Sequence, residues 1–178
     1  MIKIGITGSI ASGKTTASKI LSYKRGPLFS ADKVVKNFYK TIHFKQLVAK
    51  KFHIVKNISL KDSISKAILK NKINIKKLEK LIHPLVRNKM RKFSTLNKNK
   101  KILFYEIPLL VENKLVKYFD IIIFIKASKK VRLKRFKSKG GETKLFNFLN
   151  KKQMIDSKKI KFCDHVIANE KNLNILKK

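Results

Sequence analysis

The amino-acid sequence predicts a doubly wound α/β fold, in which helices cover both faces of a parallel sheet of about five strands. Short apolar runs alternate along the chain with longer segments of helical periodicity. The runs are almost continuously apolar, which is typical of strands buried on both faces. A glycine-rich loop, GSIASGKTT at residues 8–16, separates the first apolar run from the first helical segment. Together these features predict one α/β domain of 178 residues.

The first predicted elements surround the glycine-rich loop. Residues 1–7, MIKIGIT, predict a buried strand, and apolar residues at helical spacing predict a helix from Thr15 to about Tyr23. Gly26 and Pro27 end this helix. The following LFSAD predicts a short second strand that ends at Asp32.

A lysine-rich helical segment, residues 33–98, then interrupts the alternation of strands and helices. Its second half keeps apolar residues on one helix face. Because a residue before proline is biased away from helical geometry, His83 and Pro84 predict the end of one helix and the start of another. We expect this segment to form a helical lobe inserted into a core made of residues 1–32 and 99–178.

The second half of the chain resumes the α/β pattern. The predicted elements are a strand at Ile102–Glu106, a helix at Pro108–Val116, a strand at Asp120–Ile125, a helix at Lys129–Lys137, a glycine turn at 138–143, a helix to about Ile160 and a strand at His165–Asn169. With the first two strands, these complete the sheet of five.

The glycine-rich loop fits the phosphate-loop pattern G-x-x-x-x-G-K-[ST] through Gly8, Gly13, Lys14 and Thr15. Glycines let backbone N–H groups curl around phosphates, the lysine reaches the outer phosphates, and the threonine hydroxyl offers a ligand to Mg²⁺. The strand before the loop and the helix after it are the context that the pattern requires. The other loop residues that we expect to contact ATP are Ala11, Ser12 and Thr16.

A phosphate loop alone leaves the acceptor of the phosphoryl group open. A small-molecule kinase also needs an acidic residue facing the acceptor, a lobe that binds it and a basic lid over the phosphates. Asp32 is the candidate acid, and the helical segment is the candidate lobe. The candidate lid, about residues 135–145, contains Arg135, whose guanidinium can bridge phosphate oxygens. The alternative roles are a helix cap for Asp32 and a solvated surface base for Arg135.

Lysine dominates the charge of the chain. The formal net charge is +35, and only five of the 45 basic residues are arginine. The lysines are spread along the whole chain, which is typical of a solvated surface rather than of a specific nucleic-acid site. We therefore expect no specific nucleic-acid partner and a fold that salt stabilises, because like charges repel.

The composition also bears on the compartment and on metal chemistry. The sequence has one cysteine, Cys163, and its four histidines show no zinc-ligand spacing. No apolar run approaches the roughly 20 residues of a membrane span, and the loop follows Met1 too closely for a signal peptide. We expect a cytoplasmic monomer without a membrane partner, with metal chemistry limited to magnesium and phosphate.

Taken together, these motifs resemble the dephospho-CoA kinase family over nearly the whole chain. GITGSIASGKTT resembles the family's start, SADKVVK its D-A-D segment and LIHPLVR its H-P motif. EIPLLVEN resembles its P-L-L-x-E motif, RLKRFKSK its lid, and Gln153 with DHVIAN its closing pattern. The resemblance implies a P-loop NTPase fold and an Mg²⁺-dependent transfer of phosphate from ATP to the 3′-hydroxyl of the ribose of dephospho-CoA.

The resemblance also implies roles for individual residues. Lys14 would contact the β- and γ-phosphates, Thr15 would bind Mg²⁺, and Asp32 would orient or deprotonate the acceptor hydroxyl. Arg135 and Lys139 would close over the transferring phosphoryl group. Further expected site residues are Asn169 near adenine, Glu106 near Mg²⁺ through water, and Lys36, His83 and Arg87 in the acceptor lobe. The alternatives are a helix-junction residue for His83 and a strand-end turn residue for Asn169.

Several positions depart from the family's usual residues. Ser30 stands in place of the first Asp of the D-A-D segment, and Glu106 stands in place of another Asp. Lys36 and Lys139 stand where arginine is common. Because lysine lacks the bidentate phosphate contacts of arginine, these departures favour a slower enzyme.

Two other functions fit parts of the sequence. Another small P-loop kinase, of the nucleoside monophosphate or shikimate type, would share the phosphate loop and differ in the helical lobe. A basic nucleic-acid-binding NTPase is favoured only by the net charge, and its ATP hydrolysis would be stimulated by DNA or RNA.

Overall fold

The computed structural model describes residues 1–52 and 73–171, so residues 53–72 of the predicted helical lobe lie outside the described residues. The chain divides into two compact units. One, the core unit, comprises Met1–Ala31 and Leu96–Lys178, and the other, the helical unit, comprises Asp32–Thr95. Among the described residues, no helix has the length and apolar character that crossing a bilayer requires.

The core unit contains a parallel sheet of five strands. These are β1 (Ile2–Thr7), β2 (Leu28–Ser30), β3 (Ile102–Glu106), β4 (Ile121–Lys126) and β5 (His165–Ala168). Their order across the sheet is β2-β3-β1-β4-β5, and each neighbouring pair is parallel. The predicted α/β class with a five-stranded parallel sheet is therefore confirmed.

The helices of the described residues lie in both units. They are α1 (Lys14–Ser22), α2 (Ala31–Phe38), α3 (Ile42–Phe52), α4 (Ile73–Leu96), α5 (Lys129–Lys137), α6 (Thr143–Lys152) and α7 (Asp156–Ile160), with one 3₁₀ turn at Val116–Tyr118. Ser128 caps α5 by accepting a 3.4 Å hydrogen bond from the Val131 amide. The predicted helix at Lys129–Lys137 is confirmed.

Apolar packing around the central strands holds the core unit together. Ile6 of β1, Phe104 of β3 and Ile125 of β4 are buried in one cluster with Ala17 of α1. Burying side chains of this size stabilises the fold by about 1.5 to 3 kcal/mol each. This packing fixes the end of β1, which the phosphate loop follows, and the end of β3, whose last residue is Glu106.

The helical unit has its own apolar core. Phe44, Val48 and Leu78 are buried together, with α4 contributing Leu81, Ile82 and Leu85 to its edge. The rings of Phe38 and Tyr39 lie 5.8 and 5.1 Å from that of Phe44. The one-sided apolar pattern of the sequence thus corresponds to a packed face.

The prediction of a helix break at Pro84 is wrong, because α4 continues through this residue. A proline inside a helix costs roughly 3 kcal/mol, since it removes one backbone hydrogen bond and crowds the preceding turn. The apolar face of α4 runs on both sides of Pro84 and packs against Phe44 and Val48. This packing offsets the cost of the proline.

The helix predicted at Pro108–Val116 is also wrong, because residues 108–114 form successive turns. Lys114 adopts a left-handed φ of 54°, which ends any helical run. The apolar residues of this segment pack from turns rather than from a helix. Leu110 packs against Gly5, where an added Cβ atom would lie 2.7 Å from Cδ1 of Leu110. The absence of a side chain at Gly5 makes this close approach feasible.

Two larger differences from the predicted elements concern the end of β2 and the helices before β5. Strand β2 ends at Ser30 and helix α2 begins at Ala31, so Asp32 lies in the first turn of a helix rather than at a strand end. The single helix predicted to reach Ile160 is two helices, because Gln153 and Ile155 between α6 and α7 have extended backbones.

Candidate active site

The phosphate loop connects β1 to α1 and depends on two glycines in unusual conformations. Gly8 has a φ of 153°, and a Cβ atom there would lie 2.5 Å from the backbone oxygen of Ile125. Gly13 has a φ of 90°, and a Cβ atom there would overlap Nδ2 of Asn169. Other residues at these positions would be strained, so the loop geometry explains both glycines.

Lys14 opens α1 and is 93% buried, with a relative exposure of 7%. Its ammonium donates a 2.9 Å hydrogen bond to the backbone oxygen of Ser9, within the loop itself. The positive end of the helix dipole and this lysine lie together at the start of α1. Such a helix N-terminus with a buried ammonium is suited to bind phosphate.

Thr15 and Glu106 join the start of α1 to the end of β3. The Thr15 hydroxyl donates a 2.5 Å hydrogen bond to Oε1 of Glu106, whose side chain is 1% exposed. Among the described residues, the second oxygen of Glu106, Oε2, is buried without a hydrogen-bond partner. Burying a carboxylate oxygen without a hydrogen-bond partner costs free energy unless a cation or a water molecule binds it.

These two side chains fit a magnesium site. Mg²⁺ prefers oxygen ligands and usually takes only one or two from the protein, the rest coming from water and phosphate. Within the described part of the chain, no group of three or more His, Cys, Asp or Glu side chains is placed to hold a metal ion. The Thr15 hydroxyl and the Glu106 carboxylate are oxygen ligands of the kind that Mg²⁺ takes from a protein.

Arg135 of α5 and Asn169 after β5 lie against the phosphate loop. The Arg135 guanidinium donates to the backbone oxygens of Asn169 at 2.8 Å and Ser12 at 3.4 Å, and to that of Lys171 at 2.9 Å. Asn169 is buried, and its amide donates a 2.8 Å hydrogen bond to the Ser12 oxygen. The structure thus brings Arg135 and Asn169 to one loop oxygen from two elements that are distant in sequence.

No motif in the sequence predicts the residues that hold the loop from its other side. Arg132 is buried and donates to the backbone oxygen of Ile10 at 3.4 Å and to Oδ1 of Asn150 at 2.7 Å. Asp156 accepts a hydrogen bond from the Ser9 hydroxyl. Gln153, to which the sequence assigned no role, accepts one from the amide of Ile10. The available signal for Asp156 was the scarcity of acids, ten in the whole chain.

Four of the expected acceptor residues belong to the helical unit: Asp32, Lys36, His83 and Arg87. Asp32 and Lys36 are exposed on α2, and Arg87 is exposed on α4. Burial lowers the pKa of the His83 imidazole below its ordinary value, an effect that Glu79 opposes and Arg87 reinforces. His83 is therefore mostly neutral at pH 7.

Two further acidic residues, Asp120 and Asp164, have structural roles. Asp120 accepts a 2.7 Å hydrogen bond from the amide of Lys3, and Asp164 accepts one of 2.7 Å from the amide of Ile122. Asp120 therefore links the residue before β4 to the start of β1, and Asp164 links the residue before β5 to the start of β4. In the candidate lid, Lys139 is exposed in the turn that follows α5.

The parallel sheet, the phosphate loop after β1, and the lysine and threonine that open α1 define the class of P-loop kinases. Residues 2–174 match the family model described as dephospho-CoA kinase. The chain therefore belongs to the dephospho-CoA kinase family, a family of ATP-dependent kinases.

Individual relatives agree with this family. A protein named dephospho-CoA kinase from Rickettsia typhi is 35% identical over 168 residues, which cover 94% of this chain and 87% of that protein. A crystal structure from Thermus thermophilus has a TM-score of 0.82 at 25% identity, covering 98% of this chain and 92% of the other. A dephospho-CoA kinase from Campylobacter jejuni has a TM-score of 0.66 at 24% identity, over 98% and 91%, and shows the shared fold.

Proposed function

We propose that the protein transfers the γ-phosphoryl group of ATP to the 3′-hydroxyl of the ribose of dephospho-CoA, giving CoA and ADP. The observation that carries this proposal is the family match over residues 2–174. In the reaction, the bond between the γ-phosphorus and the β–γ bridging oxygen breaks, and a bond from the γ-phosphorus to the ribose oxygen forms. The hydroxyl proton leaves to a base.

The phosphate loop is assigned to ATP. The loop residues Ala11, Ser12, Gly13 and Thr16 and the ammonium of Lys14 would hold the phosphates. Support for this role comes from the burial of Lys14 and its position at the start of α1. Fixed donors of this kind stabilise the charge that develops on a transferring phosphoryl group.

Arg135, Lys139 and Asn169 are assigned to the nucleotide side as well. The contact of Arg135 with the Ser12 oxygen supports a role for its guanidinium next to the phosphates. Asn169 would lie near adenine, and Lys139 would add charge over the transferring group. Closure of this lid, about residues 135–145, would exclude water and so limit hydrolysis of ATP.

Thr15 and Glu106 are assigned to Mg²⁺. The Thr15 oxygen keeps a lone pair for the metal while its proton is donated to Glu106, and Glu106 would act directly or through water. When bound, Mg²⁺ neutralises phosphate charge and orients the β- and γ-phosphates.

Asp32 is assigned as the base that orients the acceptor hydroxyl and accepts its proton. It follows β2 by two residues, and β2 pairs with β3 so that Ser30 lies opposite Glu106. Ligands of open α/β sheets bind at these carboxyl ends of strands, which supports the assignment. Lys36, His83 and Arg87 are assigned to binding of the acceptor.

The experiment that tests the proposal measures ADP release with ATP and Mg²⁺ at about 0.15 M salt, a physiological ionic strength. Dephospho-CoA is compared with AMP, CMP, shikimate, RNA and no acceptor. Turnover that requires dephospho-CoA supports the proposal. Turnover with another small acceptor, or ATP hydrolysis stimulated by RNA, contradicts it and favours the corresponding alternative. As part of the same proposal we expect a cytoplasmic monomer without a specific nucleic-acid partner.

A further inference from the structure

The outer side of the phosphate loop is held by the short segment between α6 and α7. The side-chain oxygen of Gln153 accepts a 2.8 Å hydrogen bond from the amide of Ile10. The carboxylate of Asp156 accepts a hydrogen bond from the hydroxyl of Ser9. Two consecutive loop residues are therefore tied to groups more than 140 residues later in the chain, with sequence separations of 143 and 147.

This segment is itself anchored to the core unit by a buried ion pair. The ammonium of Lys159, whose side chain is 0% exposed, lies 2.7 Å from Oε1 of Glu112. The same carboxylate oxygen accepts a 3.2 Å hydrogen bond from the amide of Met154. The Lys159 side chain is fully buried and that of Glu112 is 18% exposed, so the ion pair and the Met154 hydrogen bond together restrain the segment. Asp156 thus lies between the two anchored residues, Met154 and Lys159, and Gln153 directly precedes Met154.

The anchored segment contacts Ser9, a loop residue whose backbone oxygen is bonded to the P-loop lysine. Ser9 is 2% exposed, and its oxygen accepts the 2.9 Å hydrogen bond from the ammonium of Lys14. A hydrogen bond to a carboxylate is stronger than one between neutral groups, so Asp156 restrains Ser9 effectively. The Ser9 carbonyl and the Ile10 N–H belong to one planar peptide group, so the hydrogen bond from Ile10 to Gln153 fixes the direction of the oxygen that Lys14 contacts. The hydrogen bond from the Ser9 hydroxyl to Asp156 holds the same residue through its side chain.

We propose that Asp156 and Gln153 are positioning residues for nucleotide binding, which hold Ser9 and Ile10 and thereby orient the ammonium of Lys14. The proposal rests on the assignment of the phosphate loop to ATP. Neither residue touches the nucleotide, and both act through the loop. The chemistry required at position 156 is an oxygen acceptor for the Ser9 hydroxyl.

The test measures the dissociation constant of ATP for the whole protein by titration calorimetry, with unfolding temperatures recorded in parallel. Asp156→Ala removes the acceptor, Ser9→Ala removes the donor, and Asp156→Asn keeps an oxygen in place. Asp120→Ala is the matched control, because Asp120 also accepts a 2.7 Å hydrogen bond, from Lys3, at the opposite end of β1.

The expected result is that Asp156→Ala and Ser9→Ala each weaken ATP binding by about three- to tenfold, as loss of one hydrogen bond predicts. The double variant should bind no more weakly than either single variant, because both remove the same bond. Asp156→Asn should recover the affinity to within about twofold. Asp120→Ala should lower the unfolding temperature and leave ATP affinity unchanged.

Unchanged ATP affinity in Asp156→Ala and Ser9→Ala overturns the proposal, as does a double variant whose loss equals the product of the two single losses. An equal loss in Asp120→Ala also overturns it, since the effect would then follow stability alone. If Asp156→Ala does not fold, Ser9→Ala and Asp156→Asn carry the test. ATP binding does not depend on the acceptor, so a wild type that binds ATP but does not phosphorylate dephospho-CoA contradicts the proposed function and not this inference.

Discussion

The hydroxyl of Thr15 lies 2.5 Å from Oε1 of Glu106, although the two residues are 91 positions apart in the sequence. The parallel pairing of β1 with β3 places Ile6 opposite Glu106, so the start of α1 and the end of β3 meet at one edge of the sheet. The buried Oε2 atom of Glu106, which has no hydrogen-bond partner among the described residues, is the observation on which the proposed Mg²⁺ role rests. Glu106 is consequently the residue whose substitution tests the metal assignment most directly.

Glu106→Gln should lower turnover by about tenfold or more and raise the Mg²⁺ concentration needed for half-maximal rate, because the amide removes the negative charge. The measurement is initial rate against Mg²⁺ concentration at saturating ATP and acceptor. Glu106→Asp is the control, since it keeps the carboxylate, and it should retain more activity than Glu106→Gln. Identical Mg²⁺ curves for the wild type and Glu106→Gln would contradict a metal role.

Asp32→Asn should lower turnover by roughly 10²- to 10⁴-fold, the usual contribution of a general base. ATP binding should be unchanged, and the fold should persist, because Asp32 is exposed on the first turn of α2. The measurement combines steady-state rates with ATP titration and thermal unfolding. Near-wild-type turnover in Asp32→Asn would leave Asp32 with the alternative role of a helix-terminal acid.

The sequence predicted the fold well because strand burial and the loop are local signals. Continuous apolar runs identified β3 within its observed bounds, Ile102–Glu106. The turn structure of 108–114 was not predictable in the same way, since Leu110 is buried through tertiary contact with Gly5. Pro84 likewise favours a helix boundary locally, but it lies inside α4 because the apolar face of this helix is packed on both sides of it.

The site was predictable only where a motif spans contiguous residues. Gly8, Gly13, Lys14 and Thr15 follow from one pattern, and the loop geometry explains both glycines. Asp156 and Arg132 carry no such pattern. Their contacts with Ser9 and Ile10 arise from the pairing of distant segments, which spacing along the chain does not reveal.

Gly13→Ala should weaken ATP binding by about tenfold and lower stability by about 1 to 2 kcal/mol, because a left-handed φ is unfavourable for alanine. The added Cβ atom would overlap Nδ2 of Asn169, which is bonded to the Ser12 oxygen. Both changes are measured by ATP titration and chemical denaturation. The double variant Gly13→Ala with Asn169→Ala removes the overlap and keeps the backbone strain. If the losses of ATP affinity and stability in the double variant equal the sum of those in Gly13→Ala and Asn169→Ala, the overlap between the two side chains is not the cause.

Cys163 should be a slowly reacting thiol without a catalytic role. Burial is the main cause that raises its pKa to about 11, with Asp164 adding to the shift and Lys159 opposing it. The reactive thiolate is therefore scarce below pH 9 and should increase only as pH approaches 11. Iodoacetamide labelling of the folded protein at pH 7.5 should be much slower than labelling of the unfolded chain, and Cys163→Ala should keep full turnover. Rapid labelling of the folded protein, or loss of turnover in Cys163→Ala, would contradict this role.

The unfolding temperature should rise by a few degrees when NaCl increases from about 0.01 to 0.3 M, because salt screens repulsion among the charges behind the net +35. The Debye length falls from about 30 Å in 0.01 M salt to about 8 Å at physiological ionic strength, so distant lysines cease to repel one another. Scanning calorimetry in NaCl and KCl at equal ionic strength makes the measurement. Equal curves in the two salts attribute the effect to screening rather than to binding of a particular cation. An unfolding temperature that does not change over this range would show that the unfolded chain is repelled as strongly as the folded one.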